Sequence, residues 1–141
     1  MRTAEVWFGQ LPMATQPPPL VLVIDDNEDN RELHALLLAN YGFDVVQAGD
    51  GVAALALTAD RLPSVAVTDL RMPGDVSAAD LCRHFNELNV PVIALTGVGP
   101  GDEHEAMRRA GCAAVMMKPL APDRLLSEIN RVLTSHVPRN A

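Results

Sequence analysis

Basic residues, cysteines and long apolar runs are all scarce in this 141-residue chain, and each shortage removes a class of function. Lys and Arg occupy 11 positions against 18 for Asp and Glu, leaving a net charge of -7. A nucleic-acid surface needs clustered Lys and Arg to displace counterions, whereas Arg108, Arg109, Arg124 and Arg131 are spread over helix-like segments and read as solvated. The two cysteines, Cys82 and Cys112, have neither CxxC nor ligand-like spacing. They read as reduced, partly buried thiols, which fits a cytoplasmic protein. His34, His84, His104 and His136 lie too far apart for a zinc site. No apolar stretch is long enough for a signal peptide or a membrane span. What remains is an ordinary soluble composition, 48% apolar and 21% charged, at a length that suits one domain with its own core.

Residues 1–19 differ in character, with Trp7, Phe8 and the Pro17-Pro18-Pro19 run but little periodicity. They read as a disordered, Pro-containing leader, and Met13 is a candidate alternative start. Residues 20–134 form the expected domain and residues 135–141 a short tail.

From Leu20 onward strand-like and helix-like segments alternate. The strand candidates are Leu20 to Ile24, Phe43 to Gln47, Val65 to Asp69, Val92 to Thr96 and Ala113 to Met117. Between and after them lie five helix candidates. The first runs from Glu28 to Asn40, with Asn27 as N-cap, Leu33, Ala35, Leu36 and Leu37 as its apolar residues, and Gly42 just past its end. Val52 to Ala59 would bury Ala53, Leu55, Ala56 and Ala59; Ala79 to Leu88 would bury Leu81, Cys82, Phe85 and Leu88. Asp102 to Ala110 is polar and stopped by Gly111, and Pro122 opens a last helix with Leu125, Leu126, Ile129, Val132 and Leu133 on one stripe. Serial βα units with continuously apolar strands predict an α/β fold: a doubly wound, five-stranded parallel sheet with five helices on its two faces.

The ends of these strands carry the chemistry. The first runs into Asp25-Asp26, the third ends in Asp69, the fourth in Thr96, and the fifth is followed by Lys118-Pro119. In open α/β sheets ligands bind at the carboxyl ends of the strands. Carboxylates gathered there repel by about 4 kcal/mol per pair at ~4 Å and an effective dielectric near 20, which raises a pKa or recruits a cation. Oxygen ligands with room for water and phosphate suit Mg²⁺. An aspartyl nucleophile, a divalent cation, a hydroxyl and an ammonium are the parts that phosphoryl transfer to a carboxylate requires.

In order and spacing, Val23-Ile24-Asp25-Asp26-Asn27, Val67-Thr68-Asp69-Leu70-Arg71-Met72-Pro73-Gly74, Ala94-Leu95-Thr96-Gly97 and Met117-Lys118-Pro119 resemble the receiver domain of two-component response regulators, over roughly residues 20–133. The resemblance implies a flavodoxin-like receiver fold and a signalling phosphoacceptor that is no enzyme beyond its own phosphorylation and dephosphorylation. Asp69 would be the acceptor, charged by a sensor histidine kinase or a histidine phosphotransfer protein. Asp26, Asp69 and the backbone carbonyl of Arg71 would ligate Mg²⁺ directly, and Asp25 mainly through water. Thr96 and Lys118 would bind phosphoryl oxygens, and the Lys118–Pro119 peptide bond would be cis. Partners would be the phosphodonor and a downstream protein, with a homodimer as a further option, and neither nucleic acid nor membrane.

The chain departs from that pattern at three places. Val115 stands where receivers usually carry the Tyr or Phe that moves with the threonine hydroxyl, and a β-branched side chain has few rotamers and no ring. The loop Asp75-Val76-Ser77-Ala78-Ala79 stands in place of the usual Asp-Gly pair, and aligning Leu81 and Phe85 calls for one extra residue in it; Gly97-Val98-Gly99-Pro100-Gly101 is glycine-rich. Arg71 and Val98, two residues past acceptor and threonine, are expected to slow hydrolysis by bordering the path of water. Met107, Ala110 and Met116 offer adaptable contacts on the surface that similar proteins use for output, or belong to the core. The leading expectation is a single-domain receiver acting by protein interaction, or as a relay or phosphate sink. Two alternatives are a receiver-like interaction module that is never phosphorylated, and a haloacid-dehalogenase-type phosphatase, in which the order of the motifs would be reversed.

Overall fold

The structure, a computed structural model, describes residues 17–97, 99 and 101–135. Most of the leader, the tail beyond Ser135, and the hydrolysis role expected of Val98 lie outside the described residues. The element order is β1 (Leu20–Ile24), α1 (Glu28–Asn40), β2 (Asp44–Ala48), α2 (Gly51–Leu57), β3 (Val65–Asp69), α3 (Ala78–Glu87), β4 (Val92–Thr96), α4 (Asp102–Arg109), β5 (Ala114–Met117) and α5 (Pro122–Ser135). The strands form one five-stranded sheet in the order β2-β1-β3-β4-β5, and every neighbouring pair is parallel.

Successive strand residues point to opposite faces, which divides the core in two. Leu22, Ile24, Ala66, Val92 and Ala94 pack with Ala54 of α2, Leu81, Cys82 and Phe85 of α3, and Met107 of α4. Val21, Val23, Val65, Val67, Ile93 and Leu95 pack with Leu38 of α1 and with Leu125, Leu126, Ile129 and Val132 of α5. Helices on both faces remove β1, β3 and β4 from water, so these strands are apolar on both faces up to their carboxyl ends, while edge strand β2 keeps Asp44 and Gln47 exposed.

Local chemistry sets the helix ends. Asn27 accepts the Asn30 amide at the start of α1, and Asp50 accepts the Ala53 amide at the start of α2. Ser77 and Asp80 form a reciprocal capping box that starts α3 at Ala78. Gly42 and Gly111 take positive φ just past α1 and α4, as helix-ending glycines do.

Two inner faces differ from the expectation. On α1 the buried residues are Ala35 and Leu38, while Leu33 and Leu36 are 65% and 60% exposed; apolar residues spread around the second half of this helix, so periodicity does not select a side. On α2 the buried residues are Gly51 and Ala54, while Ala56 and Ala59 are exposed. Leu88 caps α3 and is exposed. Met107, Ala110 and Met116 belong to the core rather than to an accessible surface. The thiols of Cys82 and Cys112 are both free, and burial together with their mutual hydrogen bond pushes Cys82 well above the usual thiol range.

The β3–α3 loop is pinned where it passes α2. A Cβ on Gly51 would lie 2.7 Å from the Val76 side chain and from its carbonyl oxygen. Helix propensity alone would make Gly51→Ala stabilising by about 0.5–1 kcal/mol. The steric cost of an unyielding neighbour is about 1–3 kcal/mol. Gly51→Ala is therefore expected to destabilise the protein in urea titrations; a stabilised variant would show that the loop yields freely.

Candidate functional site

Strand register brings the chemistry-bearing residues together. Ile24 is level with Thr68 across β1 and β3, so Asp25 leaves the sheet beside Asp69. Asp69 is level with Leu95, and Thr96 with Met117, which places Thr96 and Lys118 just past Asp69 on the other side. The Leu70 amide donates to the Leu95 carbonyl at 2.8 Å and the Lys118 amide to the Thr96 carbonyl at 2.7 Å, fixing the strand ends. The Lys118–Pro119 peptide bond is cis.

Carboxylate oxygens of Asp25, Asp26 and Asp69 lie within 4.8 Å of one another. The Lys118 ammonium is 2.7 Å from Asp69 Oδ1. Asp25 is only 3% exposed. Its carboxyl is held above the usual range, chiefly by burial and then by the charges of Asp69 and Asp26, against the Asn27 amide and Lys118, which pull it down. Asn27 N–H donates to Asp25 Oδ1 at 2.9 Å. Thr96 is buried, Asp69 and Lys118 half-buried, Asp26 exposed. Asp69, Leu70, Arg71, Thr96, Gly97 and Lys118 line an open cavity of about 250 Å³, which admits a phosphoryl group. Of the site residues singled out in the sequence, Asp69, Arg71, Thr96 and Lys118 thus border one space, and Asp25 and Asp26 group against Asp69 beside it.

A hard dication fits the three acids. They offer only carboxylate oxygens, with no sulfur or imidazole in the group, and an acid kept partly out of water beside two others is relieved by positive charge.

Three neighbours were not legible in advance. Arg31 on α1 donates from Nη1 to the Asp25 carbonyl oxygen at 3.0 Å and from Nε to Gln47 Oε1 at 3.2 Å, holding the β1 end against β2. The Arg71 side chain reaches Glu103 of α4 at 3.0 Å. His34 lines a small apolar groove with Leu33, Leu37, Leu120, Pro122 and Leu125, and burial pulls its imidazole below the usual range. The one available signal was for Arg31: in the first turn of α1, close to the strand end that precedes it.

A family model described as the response regulator receiver domain matches residues 21–130. The chain belongs to that family. This receiver is 28% identical over 120 residues to the polar-differentiation response regulator DivK of Brucella anthropi, covering 82% of this chain and 97% of the relative. Among solved structures, the receiver domain of NtrX from Brucella abortus is 29% identical with a TM-score of 0.75, covering 82% of this chain and 98% of that one. A CheY-like receiver domain protein from Methanospirillum hungatei JF-1 has a TM-score of 0.79 at 24% identity, covering 84% and 96%, a likeness of fold alone. Receivers are signalling domains of two-component systems. No helix among the described residues is long and apolar enough to cross a membrane.

The raised Asp25 carboxyl has a consequence for stability. The folded protein holds that proton more tightly than the unfolded chain does, so stability falls as pH rises from the usual carboxylate range through the raised folded value. Asp25→Asn keeps an acceptor for the Asn27 amide and removes the charge. In metal-free buffer at pH 7 it is expected to gain on the order of 1 kcal/mol, the cost of burying the charge and the like-charge repulsion less the attraction of the Asn27 amide and Lys118. Identical pH–stability profiles for the two proteins would show that Asp25 ionises without penalty.

Proposed function

We propose that the protein is a phosphorylatable receiver whose acceptor is Asp69, charged by the phosphohistidine of a sensor histidine kinase or a histidine phosphotransfer protein. The reading rests on one observation: Lys118 Nζ stands 2.7 Å from an Asp69 carboxylate that also shares its pocket with two further acids. Asp25, Asp26, Asp69 and the Arg71 backbone carbonyl would hold Mg²⁺. Bound there, the ion would offset the crowded carboxylates and the charge on phosphoryl oxygens.

An Asp69 carboxylate oxygen attacks phosphorus, the P–N bond breaks, and its electron pair stays on the donor imidazole, which takes up a proton. Lys118 and the Thr96 hydroxyl meet the phosphoryl oxygens from the β4 and β5 side, the ammonium as a point charge and the hydroxyl as a hydrogen-bond donor. Water attacks the same phosphorus in reverse, breaking the P–O bond and returning a free carboxylate and inorganic phosphate. Val115, half-buried against the α3–α4 side of the core, has no ring to follow the Thr96 hydroxyl. The receiver then signals through a partner protein by other contacts, or hands on or drains the phosphoryl group. Domain limits at residues 20–134 accord with this reading.

Intact mass after incubation with Mg²⁺ and acetyl phosphate tests it. The wild type is expected to gain one phosphoryl group and Asp69→Asn none. A folded wild type that gains no mass and binds no beryllofluoride would instead favour a receiver-like interaction module that is never phosphorylated.

A further inference from the structure

Arg71 spans two elements that nothing nearby in sequence connects. It leaves the loop after Asp69, lines the acceptor pocket together with Lys118, and ends on Glu103 in the first turn of α4. His104 anchors that turn in the core, but its outer side is tied to the rest of the protein by Glu103. Its N-cap is Gly101, with no side-chain cap, and Glu105 pairs within the helix with Arg108 and Arg109. The Arg71 and Glu103 side chains are 68% and 47% exposed. An ion pair that open to water adds little stability and exchanges readily.

We propose that Arg71 is a phosphate-binding cation held in reserve by Glu103. When Asp69 carries a phosphoryl group, the guanidinium leaves Glu103 for the phosphoryl oxygens, and the first turn of α4 loses its tie to the pocket. The inference rests on Asp69 as acceptor. Arg71 itself lines the pocket while its guanidinium rests on Glu103, so the exchange asks for rotation of its own side chain. The competition is unequal: a phosphoryl group brings about two negative charges and three acceptor oxygens, arranged for the two-pronged contact a guanidinium makes. Glu103 offers one exposed carboxylate. With Asp25 and Asp26 in the same group, Mg²⁺ and the single ammonium of Lys118 would still leave negative charge for a further cation to meet. The exchange also supplies a route to α4 that needs no ring at Val115.

Beryllofluoride with Mg²⁺ is the probe, read by calorimetry and by hydrogen exchange of the Glu105 amide, which donates to the Gly101 carbonyl in the first turn of α4. Glu103→Gln removes the competitor and is expected to raise beryllofluoride affinity about 2–5-fold, the worth of one exposed pair. Arg71→Gln is expected to lower it about tenfold or more, the worth of a charge-assisted contact. Exchange in the first turn of α4 should rise in the wild type on adding the probe, and be high without it in Glu103→Gln. Arg71→Glu combined with Glu103→Arg should restore slow exchange but not affinity. Unchanged affinity in Glu103→Gln, or wild-type exchange indifferent to the probe, overturns the proposal while leaving Asp69 as acceptor. A wild type that binds no beryllofluoride overturns both.

Discussion

Three carboxylates share one end of the sheet with a single ammonium directly paired to them, and that imbalance governs the rest of the molecule. The backbone cannot separate the acids, because the register that buries β1 against β3 also sets Asp25 beside Asp69. The protein answers by orienting dipoles. The Asn27 amide points at Asp25 from one side, and Arg31 secures the Asp25 carbonyl from another. Neither removes the excess negative charge, and burial keeps the Asp25 carboxyl raised. The excess of negative charge is thus a property of the folded sheet rather than of any one residue.

The pocket's position follows from topology. Chain order runs outward from β1 in both directions, to β2 on one side and to β3, β4 and β5 on the other. Connections that depart to opposite faces leave a gap above the strand ends at the reversal. Asp25 and Asp26 enter that gap from β1 and Asp69 from β3, while Thr96 and Lys118 close it on the β4–β5 side. The two half-cores on either face keep the strands in place and contribute nothing polar to it.

Much of this was legible from residue order. Strands were marked by β-branched runs ending in acids, a hydroxyl or Lys-Pro, and helix ends by Asn27, Gly42, Gly111 and Pro122, all signals confined to a few neighbouring residues. The parts that were not legible depend on contacts far apart in sequence. Leu33 and Leu36 point outward while Ala35, Leu37 and Leu38 turn inward, and apolar residues spread around the second half of the helix do not say which side that is. The unusual β3–α3 loop is explained by Val76 closing on Gly51, and the Arg71 side chain by Glu103 on α4. Each is a pairing of one loop with one distant helix, which no local period encodes.

The seat of Val76 on Gly51 also decides where movement stops. The loop from Leu70 to Ser77 is fixed at one end by the Leu70 amide on Leu95 and at the other by that seat and the Ser77 cap. It behaves as a short beam clamped at both ends. Displacement at Arg71 is taken up within residues 72–75, where Gly74 already sits at positive φ. A displacement that starts at Asp69 meets the seat on Gly51 before it reaches α2 and β2.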